Sequence, residues 1–119
     1  MQIDSERLDH EILRINLSGR LDVAGVKEIE GTFAALTAAP SKAVIVDLSK
    51  VAFLASIGIR VLLVNAKELG SRGGRMVLLS PDATVTKVLE LSGIDRTVGV
   101  FRDLETARAA VTAAPGGRG

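Results

Sequence analysis

The sequence predicts one α/β domain, a mixed β-sheet flanked by helices in the order β-β-α-β-α-β-α-β-α. Three observations predict it. A first half-buried strand pair reads as a hairpin. Ala43-Val44-Ile45-Val46-Asp47-Leu48 is a continuous apolar run, the mark of a strand covered on both faces. After it, helical patterns alternate with short apolar runs, which gives parallel strands and crossover helices. With 119 residues, 47% of them hydrophobic, the chain supports one core and is too short for two.

Each element follows in order. Leu13, Ile15 and Leu17 alternate with Arg14 and Asn16, the period of a strand with one buried face. A preceding strand over Gln2 to Leu8 pairs with it through a turn at Asp9-His10. Ser18-Gly19-Arg20-Leu21-Asp22 leads into a helix where Val26, Ile29, Phe33 and Leu36 recur at helical spacing, with Pro40 just beyond. The strand over Ala43 to Leu48 is followed by a short loop. A helix over Ile57 to Leu69 comes next, apolar on most sides and stopped by Gly70. Met76 to Leu79 is a buried strand. Ser80 and Pro81 read as the cap and first residue of a helix that buries Val85, Val88 and Leu89 and ends at Gly93. Val98 to Phe101 is a short strand. Asp103 caps a last helix carrying Leu104, Ala107 and Val111, and residues 114–119 form a frayed tail.

Composition excludes several function classes. Fifteen Lys and Arg against fourteen Asp and Glu leave a net charge of +1, with no basic footprint for nucleic acid. No cysteine is present, so disulfides, thiolate zinc sites and thiol catalysis are out. His10 is the only histidine and reads as an exposed turn residue, so a metal site or a histidine-based triad has no support. The N-terminus lacks the basic start and apolar run of a signal peptide, and no stretch approaches a membrane span. The expectation is a cytoplasmic binding protein with no cofactor and no catalytic residue.

The densest signal joins the buried strand to the following helix, from Asp47 to Arg60. Ser56 falls at the predicted helix start, where backbone N–H groups lack partners. Two readings stand beside each other: Ser56 is the N-cap, or it is a phosphoryl acceptor. Asp22 is either a helix cap or part of a partner surface at the same sheet end. Phe53 is either an inward loop anchor or an exposed contact. Gly58 permits a close helix approach. Arg60 lies one turn from Ser56 on the same helix face, within reach of a phosphate there.

This stretch resembles the STAS domain family, whose bacterial regulators include anti-sigma-factor antagonists. Val46-Asp47-Leu48-Ser49, Phe53, Ser56 and Gly58 match the family signature, and Gly19-Arg20-Leu21-Asp22 matches its earlier Gly-x-Leu-Asp turn. The resemblance spans the element order of the whole chain and implies a STAS domain over residues 1–113. It implies that Ser56 is phosphorylated by the partner, a serine-kinase anti-sigma factor, and reset by a PP2C-type phosphatase. It also implies a partner-binding surface of Asp22, Phe53, Ala55, Ser56, Ile57, Gly58 and Arg60. Two positions depart from the pattern. The acidic residue before the serine is Ala55, and the Ser/Thr after it is Ile57. The acceptor hydroxyl is kept and the neighbouring carboxylate is lost. A STAS subunit of a transport or signalling assembly that works without phosphorylation, and a small nucleotide-binding module, are the alternatives.

Two other patterns are set aside. A receiver domain has similar length and alternation, and Asp47 ends a buried run as its phosphoacceptor does. The acidic pair after the first strand and the Lys after the last strand are missing, so Asp47 reads as a hydrogen-bond acceptor in a loop. Gly70-Ser71-Arg72-Gly73-Gly74-Arg75 follows a helix instead of opening one, which a phosphate loop does not do.

Overall fold

The computed structural model describes residues 1–9, 11–38 and 42–112. Within them the strands are β1 (Gln2–Arg7), β2 (Ile12–Leu21), β3 (Ala43–Leu54), β4 (Arg75–Leu79) and β5 (Gly99–Phe101). The helices are α1 (Val23–Ala38), α2 (Ser56–Ser71), α3 (Ala83–Ser92) and α4 (Leu104–Thr112), with a 3-10 turn over Ile94–Arg96. The expected order holds. The five strands lie in sequence order, β1 antiparallel to β2 and every later pair parallel.

The alternation read in β2 sorts its side chains between two cores. Leu13, Ile15 and Leu17 join Val44, Val46 and Leu48 of β3 under α1, α2 and α3, around the buried Phe33. Ile12, Ala43, Ile45, Val77 and Leu79 point to the other face, where Ala107 and Val111 of α4 cover them. The fully apolar run of β3 is explained by this double cover. α4 packs mainly on β3, β4 and β5. Beyond it the second face is polar: Arg14 and Asn16 of β2 beside Asp4 and Glu6 of β1 and Asp47 of β3.

The largest difference from the sequence reading concerns β2 and β3. Both run past the end of β4, which stops opposite Asp47, and pair with each other as far as Leu21 and Leu54. The expected loop after Leu48 is strand. The reading failed there because period-two alternation is lost. Leu48, Val51 and Leu54 are buried with two exposed residues between each, and the ladder shifts register twice in this stretch. Asp47 is therefore an acceptor inside a strand, not in a loop.

Two helix boundaries also move. Gly70 stays within α2, and the chain turns at Gly73, whose φ of +83° a side chain would strain. Ser80 is not the cap of α3. Its N–H donates to the Phe101 carbonyl at 2.7 Å and its hydroxyl to the Arg102 carbonyl at 2.6 Å, which ties the ends of β4 and β5. Asp82 caps α3 instead, accepting from the Val85 N–H at 2.8 Å. Asp103 caps α4 as expected, through the Thr106 N–H. His10, Pro40 and the tail 114–119 lie outside the described residues.

Candidate functional site

The β2–β3 extension is a two-stranded ribbon that carries the starts of α1 and α2 to one end of the sheet. The Ala55 N–H donates to the Leu21 carbonyl at 3.1 Å, which fastens the two strand-to-helix junctions side by side. This places Asp22, Phe53, Ala55, Ser56 and Ile57 together, with Arg60 one turn further along α2.

Asp22 caps α1. Its carboxylate accepts from the Gly25 N–H at 2.9 Å and from the Arg20 guanidinium at 3.3 Å. The Gly25 hydrogen bond, with Arg20 after it, holds the Asp22 carboxyl below the usual carboxylate range. Arg20 also lies over the Phe53 ring, 4.2 Å from its centroid, a cation–π contact between cross-strand partners. Phe53 is not packed inward: it is 37% exposed. Sequence reasoning missed Arg20 as a site residue, although the Gly-Arg-Leu-Asp turn contained it.

Ser56 is not the N-cap of α2. Ala55 holds that position in an extended conformation and offers no side-chain oxygen. Ser56 is the first helical residue and is exposed. The first turn of α2 contains no acidic side chain of its own to offset the positive end of its dipole. The carbonyl of Ala55 accepts from Gly58 and Ile59 at 2.9 and 3.1 Å, which fixes the turn without involving the Ser56 hydroxyl.

Gly58 is buried, unlike the rest of the predicted set. A Cβ there would sit 2.7 Å from Leu21 Cγ, 2.8 Å from Leu54 Cδ1 and 2.9 Å from the Leu21 carbonyl oxygen. It presents no surface to a partner and instead lets α2 press onto the ribbon. Ile57 is half-buried and Arg60 exposed. Both line a groove between α1 and α2 together with Glu30, Ala34, Val61 and Val64. The sequence held a signal for this groove in Ile57, Val61 and Val64, spaced along one helix face.

Asp47 is 7% exposed and committed elsewhere. It pairs with the Arg14 guanidinium and accepts from the Ser49 N–H at 2.8 Å. Burial pushes its carboxyl up, but the hydrogen bonds from Arg14 and Ser49 outweigh it, and the group is held below its ordinary value. Among the described residues no group of three or more His, Cys, Asp or Glu is placed to hold a metal ion, and no helix is long and apolar enough to cross a membrane.

A five-stranded sheet with one antiparallel edge, helices on both faces and a serine opening the helix after the central strand defines a class. The chain belongs to the STAS domain family, whose model matches residues 3–107. Within that family it is similar to the anti-sigma F factor antagonist of Lysinibacillus sphaericus, 32% identical over 95 residues, 79% of this chain and 81% of the relative. Its fold is similar to the anti-sigma factor antagonist SpoIIAA in its unphosphorylated form, with a TM-score of 0.77 and 27% identity over 92% of this chain and 96% of that one. It is similar also to the Bacillus cell fate determinant SpoIIAA in its phosphorylated form, with a TM-score of 0.69 and 26% identity over 92% of this chain and 99% of that one.

Proposed function

We infer that this chain is an anti-sigma-factor antagonist, that its docking face surrounds Ser56, and that phosphorylation of Ser56 releases the partner. The partner is a serine-kinase anti-sigma factor, and a PP2C-type phosphatase resets the switch. The observation that carries this reading is the placement of Ser56: an exposed hydroxyl on the first residue of α2, beside the exposed Phe53 ring and the half-buried Ile57. The relatives named as antagonists, and a similar structure solved with and without phosphorylation, support it.

The physics of the switch separates fold from binding. A phosphate brings about −1.5 to −2 charges at neutral pH. The start of α2 accommodates that charge, because helix N-termini favour anions and no acid competes in the first turn. Arg60, exposed one turn on, adds a cation. A docked surface is less tolerant. Burying the dianion against apolar or acidic groups costs desolvation and repulsion, while the unmodified hydroxyl costs little.

The test compares Ser56→Ala and Ser56→Asp as baits in the native cell, with mass spectrometry for phosphoserine at position 56. The expected result is capture of a kinase-fold anti-sigma factor by Ser56→Ala and its loss with Ser56→Asp. Equal capture of that partner by both variants would contradict the reading.

A further inference from the structure

The exposed large apolar side chains among the described residues are Val23, Phe53, Val64 and Leu91. One of them, Val64, lines the groove between α1 and α2. Ala34, Ile57, Val61 and Val64 supply its apolar lining, with Val64 50% exposed. Val23, 56% exposed, lies on the same face of α1 as Glu30, seven residues earlier and toward the end of the helix near Ser56. Glu30 stands on one wall and Arg60 on the other. Both are exposed, and among the described residues neither is engaged in an ion pair.

We propose that this groove receives an amphipathic helix of the anti-sigma factor, apolar face down, which brings a cation to Glu30 and a carboxylate to Arg60. The proposal rests on the function inferred above and names the part of the partner that Ser56 controls. Ile57 to Val64 spans seven residues, about 10 Å along α2, which matches two turns of a docked helix. The walls of the groove are helices whose backbone groups are already paired. An extended segment would find no ladder there, while a helix satisfies its own backbone and needs only side-chain contact. Neither α3 nor α4 of a second copy supplies that helix. Leu91 is the only large apolar side chain exposed on α3 or α4, and one residue does not make a two-turn stripe. The groove begins at Ile57, next to Ser56, so a phosphate there sits at the mouth of the docking site and meets the carboxylate that Arg60 attracts.

The test uses the full chain and the kinase captured by Ser56→Ala. Affinity is measured for Val64→Asp, Arg60→Glu and, as an exposed apolar control away from the groove, Leu91→Asp. A photo-crosslinking benzoylphenylalanine at position 64 reports the contact directly. Val64→Asp is expected to weaken binding about tenfold or more and Leu91→Asp by less than about twofold, as for central against peripheral positions. The crosslinked peptide is expected to come from a helix of the kinase with apolar residues three and four apart. Unchanged melting temperatures establish that the variants fold. Capture of the kinase with full affinity in Val64→Asp and Arg60→Glu, and no crosslink from position 64, would overturn the groove and leave the antagonist reading standing. Crosslinking of position 64 to a strand, a loop or a second copy of this chain would overturn the helix. Failure of Ser56→Ala to capture any kinase would overturn both readings together.

Discussion

At the scale of the residue, three short polar side chains near helix starts take different roles, and position relative to the first helical residue decides which. Asp22 and Asp82 precede their helices and accept backbone N–H groups, as caps do. Ser56 comes one residue later, inside the helix, where its hydroxyl caps nothing and faces solvent. Asp22 thus has a structural task regardless of any partner. Asp22→Asn is expected to keep the melting temperature close to that of the parent, because an amide oxygen still accepts from Gly25. Asp22→Ala is expected to lower it by a few degrees. Thermal unfolding followed by circular dichroism checks this, and equal melting of the two variants would show that the cap contributes nothing. Asn in turn isolates the charge of Asp22 for binding measurements.

The roles of Ser56 and Asp22 were only partly legible in sequence. The Asp-Leu-Ser segment, the Ser56 position and the Gly-x-Leu-Asp turn marked the site. Whether Ser56 or Ala55 held the cap depends on a shift of one residue, and Ser is the better capping residue of the two. What overrode that preference is the ribbon: the Ala55 N–H is pinned to the Leu21 carbonyl, which sets where α2 begins. Arg20 over Phe53 was illegible because their pairing exists only through a strand that the pattern did not show.

At the scale of the element, α2 is held to the ribbon by the absence of a side chain at Gly58. Alanine is the better helix former, by roughly 1 kcal/mol in an open helix. Here its methyl would lie within 2.9 Å of two leucine side chains and a backbone carbonyl, and the carbonyl has no alternative rotamer. Overpacking of this kind costs typically about 1–3 kcal/mol. Gly58→Ala is therefore expected to destabilise the protein by about 1–2 kcal/mol and to tilt the start of α2. Urea unfolding measures the first effect. A neutral or stabilising result would show that α2 has room to move. The element pattern itself was well marked: β3 by its apolar run, α1 by Val26, Ile29 and Phe33. Strand ends were the weak point, because β2 and β3 continue where bulges break the alternation that identifies a strand.

At the scale of the whole molecule, the sheet is asymmetric. One face is covered by three helices, the other by α4 alone, and the uncovered part is closed by a polar network centred on Arg14 and Asp47. Arg14 also approaches Glu6 at 3.6 Å, and its Nε is buried with no partner among the described residues. The network joins β1, β2 and β3 where no helix does. Asp47→Ala leaves the guanidinium partly buried and is expected to cost about 1–3 kcal/mol. The Asp47 carboxyl is held below its unfolded value, so its contribution is complete above the ordinary aspartate pKa of about 3.9 and is lost as pH falls through the lowered native value. Asp47→Asn should accordingly show a shallower loss of stability between about pH 5 and pH 2 than the parent. Parallel acid-unfolding curves for the two would contradict this role.

The switch depends most on the independence of fold and docking at Ser56, and one measurement addresses it directly. Phosphoserine installed at position 56 of the full chain, without any kinase, is compared with the unmodified chain for affinity to the captured anti-sigma factor and for melting temperature. Binding is expected to weaken by about a hundredfold or more, the range of a buried charge left without a partner, with the melting temperature unchanged or slightly raised. Undiminished affinity of the phosphorylated chain, or a loss of binding that accompanies unfolding, would contradict it.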